Sequence, residues 1–155
     1  MKPWSSLHAH LHQTLRSHGS VSRLTLLPKQ ARVLVGVSGG QDSQCLLQLL
    51  VDLQPKWQWQ LQALHCNHRW RADASANADF VAQWAANLNV PCLIKVANTP
   101  PASEAAAREW RYQMFAQTAQ ALGYTHVVTG HTASDRAETL LFNLVRGSGL
   151  EGLQA

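Results

Sequence analysis

The chain has 155 residues, 46% of them hydrophobic, and a formal net charge of +4, which suits one compact domain with a buried core and is too little for two. Nine arginines against four lysines favour planar, bidentate contact with phosphates, so acidic partners are admitted although RNA is not singled out. Cys45, Cys66 and Cys92 stand far apart, with no C-x-x-C spacing and no secretory leader before them, which argues against disulfide partners and a zinc ribbon and for a reducing cytoplasm. No apolar run reaches the roughly 20 residues of a membrane span, since Leu46 to Leu53 is broken by Gln48 and Asp52.

Leu7, Leu11 and Leu15 recur at helical spacing and Gly19 follows as a C-cap, so a short amphipathic helix is expected, with His8, His10 and His12 on its exposed face. Residues 1–31 then form an N-terminal helix and linker. Arg32 to Val37 is a short β-branched run, followed by glycines and by Leu46, Leu47, Leu49, Leu50 and Leu53 at helical spacing; that is strand, tight turn, helix. The pattern recurs as a strand over Gln60 to His65 and a helix over Ala74 to Leu88, capped by Asp73 and facing inward with Phe80, Val81, Trp84 and Leu88. It recurs again as Cys92 to Val96 and Ser103 to Leu122, with Ser103 as N-cap and Gly123 as the C′ residue. A fourth strand, His126 to Gly130, leads into a last helix around Asp135 to Val145.

Alternating strands and helices at this interval predict right-handed βαβ units, hence an α/β fold with a doubly wound parallel sheet covered on both faces. Such a sheet binds ligands beyond the carboxyl ends of its strands. Those ends carry residues 38–43, 65–71, 97–111 and 129–138, where the polar and charged residues collect.

After the first strand comes Gly36-Val37-Ser38-Gly39-Gly40-Gln41-Asp42-Ser43. It lacks the Gly-Lys-Ser/Thr ending of a Walker A loop and the G-x-G-x-x-G spacing of a dinucleotide fold. It keeps the physics of an anion site, because glycines let the backbone approach a phosphate and the following helix points free N–H groups and its positive dipole end there. Ser38 and Ser43 add hydroxyl donors. Asp42 cannot ligate phosphate directly, so it either holds a magnesium ion bridging phosphates or caps the helix. Arg69-Trp70-Arg71 interleaves a stacking ring with phosphate-binding groups, as single-stranded RNA contact requires, or is a packed tryptophan beside exposed arginines. Arg108 and Arg111, three apart on a helix, can both face the sheet edge and offset phosphate charge. Asp135 and Glu138 share one face at a helix start, as an ammonium site or a capping box. A zinc site from His65, Cys66 and His68 is a poor reading, since neighbours on an extended chain point apart.

The spacing Ser38-Gly39-Gly40-Gln41-Asp42-Ser43 resembles the loop of the ATP pyrophosphatase, or PP-loop, superfamily, whose members cleave ATP between the α and β phosphates and pass AMP to an acceptor. Three further segments resemble the tRNA(Ile)-lysidine synthetases: His65-Cys66-Asn67-His68-Arg69-Trp70-Arg71; Glu104 to Tyr112, with Arg108 and Arg111 in the family's E-x-x-A-R-x-x-R-Y; and Thr129 to Thr139, followed by Arg146-Gly147-Ser148-Gly149. The resemblance implies an adenine nucleotide alpha hydrolase-like fold over residues 32–155, a domain truncated at its C-terminal end. It implies ATP and magnesium at Ser38 to Ser43, with Asp42, Arg108, His131, Asp135 and Glu138 as catalytic residues. It implies tRNA(Ile) contact through Arg69, Trp70, Arg71 and Arg111, and L-lysine as the second substrate. One departure is Ser134, where most members carry an aspartate. A sister enzyme, such as a tRNA thiolase or small-molecule amide synthetase, and a non-enzymatic adenine-nucleotide-binding module remain as alternatives.

Overall fold

The computed structural model describes residues 4–21 and 26–131, with the backbone alone for 17–21. The elements are α1 (Ser6–Val21), β1 (Arg32–Gly36), α2 (Gln41–Trp57), β2 (Gln60–Asn67), α3 (Ala74–Asn87), β3 (Cys92–Val96), α4 (Glu104–Leu122) and β4 (His126–Thr129). The helix expected around Asp135 to Val145 lies outside the described residues. Among those described, no helix is long and apolar enough to cross a membrane, and Cys45, Cys66 and Cys92 are free thiols.

The strands pair in the order β3-β2-β1-β4, every pair parallel. The chain winds outward from β1 through β2 to β3, then crosses back to lay β4 on the other side of β1. This reversal puts a crevice at the carboxyl ends of β1 and β4, the place where doubly wound sheets bind ligands. Alternation along the strands divides the core. Val33, Val35, Leu61 and Ala63 join Leu47, Leu50, Leu53, Val81 and Ala85 beneath α2 and α3, and Leu15 of α1 joins the same cluster. On the opposite face Leu34, Leu64 and Cys66 meet Phe115 of α4. Period-two alternation in a sheet covered on both sides explains why both sets are apolar.

The expected caps divide. Ser103 accepts the N–H of Ala106 at 3.2 Å, and Gly123 ends α4 in the left-handed region at φ 69°. Asp73 sits at the N-cap of α3 without making a cap hydrogen bond, because Arg71 takes both its oxygens at 2.8 and 2.6 Å. Gly19 is not a C-cap, since α1 continues to Val21. Phe80, expected to face inward, is 47% exposed; the buried positions of α3 are Ala78, Val81 and Ala85, with Trp84 and Leu88 packed beside them.

The expectation of an exposed histidine face on α1 holds for His10 and fails for His8 and His12. Leu7 is itself exposed, and the helix is rotated so that His8 Nε2 lies 3.0 Å from Asp52 Oδ2 of α2. Trp57 donates its indole N–H to His12 Nδ1 at 3.1 Å, and the His12 ring stands edge-on to Trp4 and Trp57 at 5.1 and 5.4 Å. A buried indole N–H needs an acceptor, and an imidazole on the facing helix meets that need where a leucine would not.

Candidate functional site

A cleft of about 470 Å³ opens at the carboxyl ends of β1, β2 and β4. Its floor is the loop from Ser38 to Ser43 and the first turn of α2. Gly40 is the N-cap residue, and no side chain caps the helix. Asp42 is therefore not the cap; it lies in the first turn, exposed, and its carboxylate makes no hydrogen bond or ion pair among the described residues. Gln44 N–H bonds to Gly40 O at 3.1 Å, which leaves the N–H groups of Gln41, Asp42 and Ser43 as the unpaired donors of the helix start. They give the cleft a positive end.

Without a ligand the two serines close the loop on itself. Ser43 Oγ donates to Gly40 O at 2.9 Å and accepts the N–H of Ser38 at 3.2 Å. Having spent its proton, Ser43 Oγ must accept from Ser38 Oγ at 3.1 Å, and Ser38 Oγ accepts the N–H of Gly40 at 3.2 Å. Gly39 adopts φ +93°, and a Cβ there would stand 2.5 Å from Asn77 Oδ1. Only glycine meets both demands. Asn77 Nδ2 reaches across from α3 to Ser38 O at 3.0 Å, and Gln44 Nε2 bonds Gly39 O at 2.6 Å. Neither residue carries a sequence signal for this; Asn77 lies 39 positions from its partner.

The second wall is the end of β2. His65 is buried and donates Nδ1–H to Val37 O at 2.8 Å, which fixes its tautomer. Burial holds its pKa below the usual value. Burial, and then the neighbouring Arg111, hold His68 low as well. His68 Nε2 and Arg111 Nε are both buried with no hydrogen-bond partner. Burial pushes the Cys66 thiol up to about 11, so it is neither a thiolate ligand nor a nucleophile near neutral pH. No group of three or more His, Cys, Asp or Glu among the described residues could hold a metal by itself.

Arg69, Trp70 and Arg71 all line the cleft, each with an internal tie. Arg69 sits at φ 62° and donates to Asn98 O at 3.0 Å. Trp70 donates to Pro101 O at 2.8 Å, stacks one face on His68 at 5.4 Å and stays 48% exposed. Arg71 pairs with Asp73. Arg108 and Arg111 part company. Arg111 lines the cleft, whereas Arg108 is exposed with its guanidinium 5.5 Å over the Tyr112 ring. From β4, His131 lines the cleft with Nδ1 3.0 Å from Thr129 Oγ1. Asp135 and Glu138 lie outside the described residues.

The profile of the PP-loop domain family matches residues 7–155. A tRNA(Ile)-lysidine synthase from a Nostoc species is 57% identical over 152 residues, which cover 98% of this chain and 43% of that protein. The enzyme of the same name from Thermosynechococcus vestitus is 54% identical over 97% of this chain and 42% of its own length. One from a Synechocystis species is 51% identical over 98% and 44%. The chain thus spans less than half the length of these relatives. Among solved structures, the U34-tRNA thiolase from Methanococcus maripaludis superposes with a TM-score of 0.71 at 16% identity, over 91% of this chain and 51% of that one; the likeness is one of fold.

Proposed function

The chain belongs to the PP-loop family, and from that premise we propose that it binds ATP with magnesium at Ser38 to Ser43 and carries out the ATP-dependent chemistry of a tRNA(Ile)-lysidine synthase. The observation that carries the nucleotide part is the start of α2, which has no side-chain cap and whose first residues, Gln41, Asp42 and Ser43, line a cleft of about 470 Å³. Of the carboxylates lining the cleft, Asp73 is taken by Arg71 and Asp42 is not engaged. That fits magnesium, which takes one or two carboxylates, keeps several waters and completes its shell from phosphate oxygens. Bound there, magnesium would neutralise phosphate charge.

The chemistry proceeds in two displacements. The C2 oxygen of the wobble cytidine of tRNA(Ile) bonds to the α phosphorus of ATP as the bond to pyrophosphate breaks. The ε-amine of lysine, having lost a proton, then bonds to C2 as the C2–O bond breaks and AMP departs. The loop holds the departing pyrophosphate, and Arg111, at the cleft wall, offsets charge on the reacting phosphate. Arg108 reaches this chemistry only if its guanidinium leaves the Tyr112 ring. Asp135 and Glu138 are assigned to the lysine ammonium and His131 to the reacting base or phosphate. Arg69, Trp70 and Arg71 meet the single-stranded anticodon. A tRNA substrate and free thiols suit a cytoplasmic protein. The relatives' shared name and their identity to this chain support the substrate pair.

Asp42→Ala tests the metal role. It is expected to weaken magnesium-dependent ATP binding by roughly tenfold to a hundredfold, the worth of a charge-assisted contact, while circular dichroism is unchanged. Unaltered binding would remove Asp42 from the site. AMP formation that needs both tRNA(Ile) and lysine is the expected activity; AMP formation indifferent to lysine would point to another acceptor.

A further inference from the structure

Four consecutive carbonyl oxygens run through the loop, and each is tied back by a donor. Val37 O takes His65 Nδ1–H at 2.8 Å, Ser38 O takes Asn77 Nδ2–H at 3.0 Å, and Gly39 O takes Gln44 Nε2–H at 2.6 Å. Gly40 O takes both Ser43 Oγ–H at 2.9 Å and Gln44 N–H at 3.1 Å. A carbonyl oxygen facing a polyphosphate repels it, and a Gly-Gly segment is the part of a chain most free to rotate a peptide the wrong way round. All the loop peptides are trans. In a planar trans peptide the N–H points opposite to the C=O, so pinning Ser38 O fixes Gly39 N–H and pinning Gly40 O fixes Gln41 N–H. Neither of these N–H groups has a partner among the described residues. The N–H groups of Ser38 and Gly40, by contrast, are spent on serine oxygens.

We infer that Asn77 and Gln44 are positioning residues that lock the Ser38-Gly39-Gly40 peptides with their carbonyls averted, so that a di- or triphosphate meets only N–H groups. Asn77 does two things at once, since its Nδ2 holds Ser38 O while its Oδ1 occupies the space over Gly39 where a side chain would sit. The order of the site is then present before the ligand arrives, and binding does not have to supply it. This rests on the proposal that the loop takes phosphate.

The test is calorimetric titration of the full chain with inorganic pyrophosphate plus magnesium, with ATP plus magnesium, and with adenosine. Asn77→Ala and Gln44→Ala are each expected to weaken pyrophosphate and ATP binding roughly threefold to tenfold, the worth of one hydrogen bond, with adenosine affinity and melting temperature unchanged. Asn77→Asp keeps the shape, loses the donor and sets a carboxylate against Ser38 O, so it should weaken both ligands at least as much. Unchanged pyrophosphate affinity in the variants, or equal weakening toward pyrophosphate and adenosine, would overturn the inference while leaving the phosphate site standing. Failure of the unaltered chain to bind either phosphate ligand would instead defeat the proposed function, and this inference with it. Should Asn77→Ala not fold, Gln44→Ala decides the matter alone, since its amide reaches from the first turn of α2 only to Gly39 O, five residues back.

Discussion

The loop after β1 and the seat of α1 on α2 both depend on polar side chains withdrawn from solvent, but they use them differently. In the loop, side chains from α2, α3 and β2 hold backbone carbonyls. Between α1 and α2, side chains hold side chains: His8 with Asp52, His12 with Trp57, and Trp57 stacked on Trp59 at 5.2 Å and 14°. Fixing a backbone fixes the direction of its N–H groups, which is what an anion needs. Fixing a side chain adds apolar contact and closes the core. Damage at the first place should appear in ligand affinity, and damage at the second in stability.

The largest effect is expected at the helix seat. Trp57 is 5% exposed, and Trp57→Ala removes a stacked ring and leaves His12 without its donor, at a cost of about 3–5 kcal/mol. Urea melts measure it, and pyrophosphate affinity of the folded protein should not move. A loss under about 1 kcal/mol would show that the aromatic cluster contributes little and would break the comparison.

Two neighbouring glycines sharpen it. A Cβ on Gly36 would stand 2.7 Å from Phe115 Cζ, so Gly36→Ala overpacks the α4 face and should destabilise the fold by about 1–3 kcal/mol. Gly39→Ala, at φ +93° and against Asn77, strains the loop by about 1–2 kcal/mol and should weaken pyrophosphate binding besides. Equal ligand affinity in the two variants would show that the loop backbone does not set the phosphate contacts.

The smallest effect is the acid response. His12, His65 and His68 all titrate below the usual 6.5, each mainly through burial. Below that value the unfolded chain binds protons that the folded chain refuses, so stability is complete above pH 6.5 and falls as pH drops through the folded pKa values. A loss of stability between pH 7 and 5 is expected, chiefly from buried His65, and urea melts at several pH values would read it. Stability that rises on acidification would contradict the neutral ring assigned to His65.

Local chemistry made much of the framework legible in the chain. β-branched residues mark β1, β3 and β4, and Ser103 and Gly123 bracket α4. The glycines before α2 announce a tight turn into a helix start, because each of these signals depends on residues a few positions apart. The α/β class and parallel order follow from repeated βαβ units. Contacts between distant segments left no such mark. The hold of Asn77 on Ser38 spans 39 positions, and that of His8 on Asp52 spans 44. Arg108 and Arg111 look equivalent in sequence, yet α4 turns one to the cleft and the other over Tyr112. Helical periodicity says which residues share a face. Which face is buried depends on what the facing helix offers, and α2 presents Asp52 to His8 and the Trp57 indole N–H to His12, beside the core that takes Leu11 and Leu15.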